Sequence, residues 1–189
     1  MISRVERYLA HLDRLSGEVE PAFTPFPSTS PGLGQVTVMT YLDHPSPGYL
    51  VGHTYGLSLA DHPAWRNGSR ELSISVRSTD RLWAMAAGHL AETLRGKCPF
   101  SYGSTIDFGE PISTESAMTA FAIYEPTIAD PQNFRVDVSP EGHEGHDVIN
   151  IVGLYPIHDV ERQFISDQGL EAFWNLEWDS FDVTRPPAM

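Results

Sequence analysis

The chain has 189 residues, 41% of them hydrophobic, and carries 25 acidic against 12 basic side chains, for a net charge of −13. This length and apolar content are typical of one globular domain with its own core, and they argue against a disordered chain. Its one cysteine, Cys98, excludes an intramolecular disulfide and a cluster of cysteine metal ligands, and favours a reducing compartment.

The negative charge bears on which partners the chain can bind. Binding to nucleic-acid phosphate needs clustered Lys and Arg, and Lys97 is the only lysine. An acidic surface accelerates encounter with a cationic protein, although the same charge also serves solubility. The N-terminus is unlike a signal peptide, and no apolar run approaches the roughly 20 residues of a membrane span. We therefore expect a cytoplasmic protein that binds neither nucleic acid nor membrane.

The first 34 residues predict a helix followed by a proline-rich arm. Apolar residues recur at three- and four-residue steps, which indicates one buried helix face: Ile2, Val5, Leu9, Leu12 and Leu15. Gly17 is the predicted end of this helix. Residues 21–34 contain four prolines and two glycines, which favour an ordered surface arm or a linker over a helix or a central strand. Phe23 and Phe26 predict that the arm packs onto the domain.

Three strands and a long helix are predicted next. Residues 35–42 and 49–58 have the composition of two hairpin strands, and Gly52 and Gly56 in the second indicate a bulge or a close backbone approach. Residues 71–77 alternate apolar and polar, which predicts a strand with one buried face. The helix that follows is capped near residue 78 and ends at Gly96.

The last third of the sequence predicts the centre of the sheet. Residues 99–112 favour short strands or an irregular loop, and residues 118–126 a strand. Residues 134–138 are expected to pair with 147–155, a strand that is apolar on both faces and therefore lies in the middle of a sheet. Two short helices follow Pro156 and are separated by Gly169. The order of these elements predicts the α+β class, with a mainly antiparallel mixed sheet and helices packed on it.

Four of these segments resemble the suppressor of fused domain family in its bacterial, single-domain type. They are HTYGLS at 53–58, the strand at 71–77 with its following helix, residues 99–112, and the block at 149–174. The resemblance divides the chain into an N-terminal helix and arm (1–34), a suppressor of fused-like domain (35–178) and a C-terminal tail (179–189). It implies a protein-binding domain without catalytic activity. Animal members sequester transcription factors by pairing with an extended peptide, and bacterial members are thought to serve largely as immunity proteins against polymorphic toxins.

The resemblance and the residues together give a set of candidate partner contacts. In animal members a tyrosine of the long helix and an aspartate after the phenylalanine-containing loop support peptide binding, and these positions correspond here to Glu92 and Ser104. Both differ from the animal residues, so the animal peptide specificity does not carry over. The loop at 100–107 adds Tyr102 and Asp107, and Trp65 is a candidate anchor because it lies in a polar loop.

The turn EGHEGHD raises one chemical alternative. His143 and His146 lie three residues apart beside carboxylates, a set that could ligate zinc or a harder divalent ion. The H-E-x-x-H motif of a metalloprotease helix is not met, and a solvated hairpin loop explains the same residues.

The sequence predicts a non-enzymatic protein-binding domain without a cofactor, with an immunity protein that neutralises a basic toxin domain as the leading candidate. A metal-dependent hydrolase using the His-rich loop and a regulatory adaptor are the alternatives. The oligomeric state and the identity of the partner stay open.

Overall fold

An eight-stranded mixed sheet forms the centre of the computed structural model, which describes residues 2–189. The strands are β1 (Ala22–Phe26), β2 (Val36–Leu42), β3 (Leu50–Tyr55), β4 (Ser69–Val76), β5 (Thr105–Asp107), β6 (Ala120–Tyr124), β7 (Arg135–Asp137) and β8 (Val148–Ile157). The helices are α1 (Arg4–Ser16), α2 (Leu82–Leu94), α3 (Asp159–Gln168) and α4 (Leu170–Trp174). None of the helices within residues 2–189 has the length and apolarity needed to cross a membrane.

The strand order is β1-β2-β3-β4-β8-β6-β5, with β7 beside the first part of β8. Strands β4 and β8 are parallel, and all other pairs are antiparallel. The side of β8 that faces away from β4 therefore pairs with β7 along its first residues and with β6 along its last residues. This arrangement confirms the predicted α+β class and the predicted pairing of residues 134–138 with the last strand.

Both faces of the sheet are covered. Helix α2 packs on one face, where Leu72 and Val152 meet Trp83. On the other face α1 covers the first half of β8, through Leu12, and α3 and α4 cover its second half, through Phe173. Side chains of β8 are buried in both directions, which confirms that an all-apolar strand takes a central position.

Helix α2 lies unusually close to the sheet because glycines remove the side chains in between. A Cβ atom on Gly52 of β3 would lie 2.9 Å from the Cβ of Ala84, and one on Gly88 of α2 would lie 2.3 Å from the ring of Phe26. The close backbone approach predicted at Gly52 is confirmed.

The N-terminal predictions need two corrections. The buried face of α1 is formed by Tyr8, Leu12 and Ser16, whereas Ile2 is 61% and Val5 37% exposed. The predicted face is wrong at its start because the ring of Tyr8 takes the contact with the sheet, 5.4 Å from the ring of Tyr55.

The proline-rich arm contributes β1, an edge strand that tolerates proline because one side of its backbone needs no partner. Phe26 packs on the core as predicted, but Phe23 is 55% exposed, so that part of the prediction is wrong.

Two buried carboxylates tie the outer segments to the domain. Glu161 at the start of α3 accepts from Arg185 at 2.5 and 3.0 Å and from the backbone N–H of Ala188. Glu92 of α2 pairs with Arg95 at 2.9 Å and accepts from the N–H and hydroxyl of Thr29 in the arm. The domain boundaries at residues 34 and 178 stay a prediction.

Candidate partner-binding site

Strand β5 forms one outer edge of the sheet and pairs there with β6 alone. Two hydrogen bonds at its ends fix which way its backbone points. The N–H of Ile123 donates to the carbonyl of Ser104 at 2.9 Å, and the N–H of Phe108 donates to the carbonyl of Thr119 at 2.8 Å. Because backbone groups alternate in an antiparallel ladder, every second residue of β5 points away from β6.

The residues that point outward are Thr105 and Asp107. Their N–H and C=O groups face away from the sheet, and the Asp107 carboxylate accepts from the N–H of Gly109. The opposite edge, β1, differs because prolines at 21, 25 and 27 remove backbone donors along it. Between residues 104 and 108 there is no proline. Strand β5 is therefore the edge at which an added strand finds backbone donors.

A tight turn before β5 presents an aromatic side chain. Phe100 is fully buried and anchors the loop in the core, and the N–H of Ser104 closes a β-turn onto the carbonyl of Ser101. Gly103 sits at the third position of this turn with φ +88°, a conformation that glycine favours. The turn leaves Tyr102 50% exposed next to the start of β5.

Tyr102 forms one wall of an open cleft of about 470 Å³. The other walls come from the end of β6 and from α4: Tyr124, Leu170, Glu171, Trp174 and Asn175. The ring of Tyr124 lies 5.5 Å from Tyr102 and 5.0 Å from Trp174, centroid to centroid. Aromatic surfaces with polar edges of this kind are typical anchors for a protein partner.

The phenol of Tyr102 stays protonated at neutral pH and can donate a hydrogen bond. Burial raises its pKa, and Glu125 adds to this shift, while Arg70 opposes it. The groups that the cleft and β5 present together are thus backbone amides and carbonyls, aromatic faces and a phenol, which are groups that bind a polypeptide.

Three of the sequence-based candidates lie together here. Tyr102, Ser104 and Asp107 follow one another along the turn and β5. Trp65 supports the same region from behind, since its indole N–H donates to the carbonyl of Pro99 at 2.8 Å and its ring packs against the core. Trp65 is half-buried and holds the base of the loop.

Glu92 lies elsewhere, and its surroundings do not suit a partner contact. The side chain is buried, and its carboxylate binds Arg95 and Thr29. We therefore leave it out of the candidate site.

The histidine turn lies apart from β5, between β7 and β8. The rings of His143 and His146 are exposed and 6.2 Å apart, centroid to centroid. The carboxylate of Glu144 accepts from the N–H of Gly142 within the turn. Within residues 2–189, no group of three or more His, Cys, Asp or Glu side chains is placed to hold a metal ion.

The sequence reasoning missed the cleft walls contributed by Tyr124, Leu170 and Trp174. These residues carry no motif, and the sequence predicts only a strand around Tyr124 and a short helix after Gly169. Only the fold shows that this helix lies beside Tyr102.

Comparison with known proteins gives a consistent family. The family model for Suppressor of fused protein (SUFU) matches residues 34–186. The fold resembles a SUFU homolog from Neisseria gonorrhoeae FA 1090, with a TM-score of 0.66 and 19% identity over 97% of this chain and 96% of that one. It also resembles Drosophila Suppressor of Fused, with a TM-score of 0.68 and 12% identity, where the match spans 97% of this chain but 51% of the fly protein.

A third similar structure is that of the Sufu-Fu complex, with a TM-score of 0.66 and 14% identity over 99% of this chain and 93% of that one. A search of curated protein sequences gives no significant match. At these low identities the structures show a common fold, and the family model adds the relationship in sequence. The chain therefore belongs to the suppressor of fused family.

Proposed function

We propose that this chain is a non-enzymatic protein-binding domain that takes up an extended segment of its partner along β5. The observation that carries the proposal is the unpaired edge of β5 beside the Tyr102 cleft. An extended peptide that adds a strand to an exposed sheet edge gains affinity from main-chain hydrogen bonds and specificity from pockets for its side chains. A relative with this fold has been solved as a Sufu-Fu complex, which supports a role in binding.

The proposed geometry has two parts. The outward N–H and C=O groups of Thr105 and Asp107 pair with the backbone of the partner segment. One side chain of that segment enters the cleft between Tyr102 and Trp174, which opens at the beginning of β5. Burial of an apolar side chain there contributes about 1.5–3 kcal/mol, enough to select among segments that all pair equally well through their backbones.

For the partner itself, we propose a basic toxin domain that this chain neutralises as an immunity protein. The net charge of −13 supports this choice, because a strongly acidic surface attracts a cationic protein and speeds the encounter. A regulatory adaptor would use the same edge with a different partner.

The test is co-expression with a toxin encoded beside this gene, using two variants of one residue. Thr105→Pro removes an outward N–H without removing a bond to β6, and Thr105→Val keeps that N–H in a side chain of similar shape. We expect the parent chain and Thr105→Val to restore growth and to co-elute with the toxin, and Thr105→Pro to do neither while remaining folded by circular dichroism. Equal rescue by both variants would reject binding at β5, and no rescue by the parent chain would reject the immunity role.

A further inference from the structure

Three arginines lie at one end of the sheet, two from the same short segment of the chain and one from a distant strand. Arg70 of β4 and Arg135 of β7 are both in register with Asn150 of the intervening strand β8. Directly opposed residues point to the same face of a sheet, so Arg70 and Arg135 flank Asn150 on the α2 face. The side-chain amide of Asn150 donates to the carbonyl of Asn67 at 2.9 Å and so holds the segment that carries Arg66. We call Arg66, Arg70 and Arg135 the arginine patch.

No arginine of the patch lies within 4.0 Å of a carboxylate oxygen in residues 2–189. Five other arginines lie within 4.0 Å of a carboxylate: Arg4, Arg77, Arg95, Arg162 and Arg185. None of the ion pairs within residues 2–189 includes a patch arginine, although the chain has twice as many acidic as basic side chains. Helix α1 carries two other arginines outside these ion pairs, and one basic residue lies near each end of α2, but none of them lies on a strand.

Arg70 is the most unusual member of the patch. Its Nε atom is buried and has no hydrogen-bond partner within residues 2–189. Burial lowers the pKa of this guanidinium, and Tyr102 is the neighbour that opposes the shift. A buried donor without a partner costs stability, so a ligand that supplies an acceptor is favoured at this position. Tyr102 also connects the arginine patch to the candidate site.

The other two patch arginines line an open cleft of about 440 Å³ together with His146 and Asn67. No acidic residue lines this cleft. The acid nearest in sequence to Arg135 on its strand is Asp137, whose carboxylate accepts from the N–H groups of Ser139 and Gly145 at 3.0 and 2.6 Å. Hydrogen bonds from Ser139 and Gly145 lower the pKa of Asp137, and the charge of the neighbouring Arg135 adds to this shift, so Asp137 partly balances Arg135. The residues that line the cleft nevertheless carry a net positive charge, from Arg66 and Arg135.

We propose that the arginine patch binds an acidic segment of the protein partner, with carboxylates on Arg66 and Arg135 and a further acceptor at Arg70. The planar guanidinium matches a carboxylate in two parallel hydrogen bonds, which gives such contacts both strength and direction. A nucleic acid is a poorer fit, since its binding relies on phosphate contacts to clustered Lys and Arg and the chain as a whole carries a net charge of −13. The inference rests on the proposed protein-binding function and names the chemistry of one segment of the partner, which is acidic within a domain that is basic as a whole.

The experiment measures binding of a fluorescein-labelled hexaglutamate peptide by fluorescence anisotropy, with hexaglutamine as the uncharged probe. The test variant is Arg66→Ala with Arg135→Ala, both exposed positions that leave the core intact. The matched control is Arg14→Ala with Arg81→Ala, which removes the same charge from exposed, unpaired arginines outside the patch. We expect saturable binding of hexaglutamate, weakened at least about tenfold in the test variant and unchanged in the control.

The inference is overturned if hexaglutamate does not bind saturably, if both double variants lose the same affinity for hexaglutamate, or if hexaglutamine binds as tightly as hexaglutamate. Inorganic phosphate that binds through Arg66 and Arg135 while hexaglutamate does not would also reject it, in favour of a phosphate ligand. Partner binding by the Thr105→Pro variant distinguishes failure of this inference from failure of the proposed function. If it abolishes partner binding while the loss of Arg66 and Arg135 does not, the binding function stands and the acidic segment is refuted.

Discussion

The buried histidine His53 of β3 provides a quantitative prediction about the sheet beneath α1. Its side chain is almost completely buried, its ring lies edge-on to Tyr41 at 6.0 Å, and its Nδ1 atom has no hydrogen-bond partner within residues 2–189. Burial lowers the pKa of His53 from 6.5 to about 3, and His44 and His11 add to this shift. Between these two pH values the folded protein binds fewer protons than the unfolded chain, so the free energy of unfolding falls as the pH decreases.

The size of this effect follows from the two pKa values. Each pH unit below 6.5 costs about 1.4 kcal/mol until the pH approaches 3. Lowering the pH from about 7.5 to about 5 therefore costs about 2 kcal/mol through His53 alone. This is a large share of the roughly 5–15 kcal/mol that stabilises a typical domain.

Urea unfolding followed by tryptophan fluorescence at the two pH values measures this cost. His53→Leu has similar volume and does not titrate, and we expect its loss of stability between the two pH values to be about 2 kcal/mol smaller than that of the parent chain. His143→Leu, in the exposed turn, is the matched control and is expected to behave like the parent chain. If His53→Leu loses as much stability on acidification as the parent chain, His53 is not buried as a neutral group and the packing of α1 over β3 is wrong.

Further predictions concern two contacts of α2 and the C-terminal segment. Gly88→Ala introduces a Cβ 2.3 Å from the ring of Phe26 and should lower the free energy of unfolding by about 1–3 kcal/mol, whereas an unchanged urea midpoint would contradict the close packing of α2. Glu92→Ala leaves the buried Arg95 without its carboxylate partner and should lower the free energy of unfolding by about 3–5 kcal/mol. It should also speed proteolysis near Thr29, because the arm loses its contact with Glu92. An arm as resistant to protease as that of the parent chain would contradict this attachment. Glu161→Ala should release the backbone amide of Ala188 to hydrogen exchange while α2 stays protected, and protection of this amide equal to that in the parent chain would contradict the role of Glu161.

The elements that the sequence predicted well are those with strong local signals. The last strand is apolar on both faces, and that pattern has one stable location, inside a sheet that is covered on both sides. Gly17 and Gly96 have positive φ angles just beyond α1 and α2, as expected for helix ends. Such features depend on a few neighbouring residues and can be read from one chain.

The features that escaped prediction depend on contacts between distant segments. The parallel pairing of β4 with β8 joins residues about 80 positions apart, and no local pattern specifies it. This pairing and the pairing of β7 with β8 place Arg70 and Arg135 opposite the same residue of β8, although the two are 65 positions apart in the sequence. Glu92 illustrates the opposite error, because a charged helix residue looks available in sequence although the arm covers it.

Only part of the candidate site can be predicted from the sequence, for the same reason. The turn at Tyr102 and the short strand after it are contiguous, so residues 100–107 were found as a unit. The cleft beside them needs Tyr124 and Trp174, which come from a strand and a helix that only the tertiary fold brings to Tyr102.

Binding at β5 requires this edge of the sheet to receive the partner, and site-specific photo-crosslinking tests this directly. A benzophenone amino acid is placed at Asp107, on the exposed outer side of β5, or at Phe23, on the exposed side of the opposite edge strand β1. The two variants are then irradiated in cells that express the chain together with its partner. We expect a defined adduct from position 107 that disappears in the Thr105→Pro background, and none from position 23. An adduct from position 23 alone, or equal adducts from both edges, would contradict binding at β5.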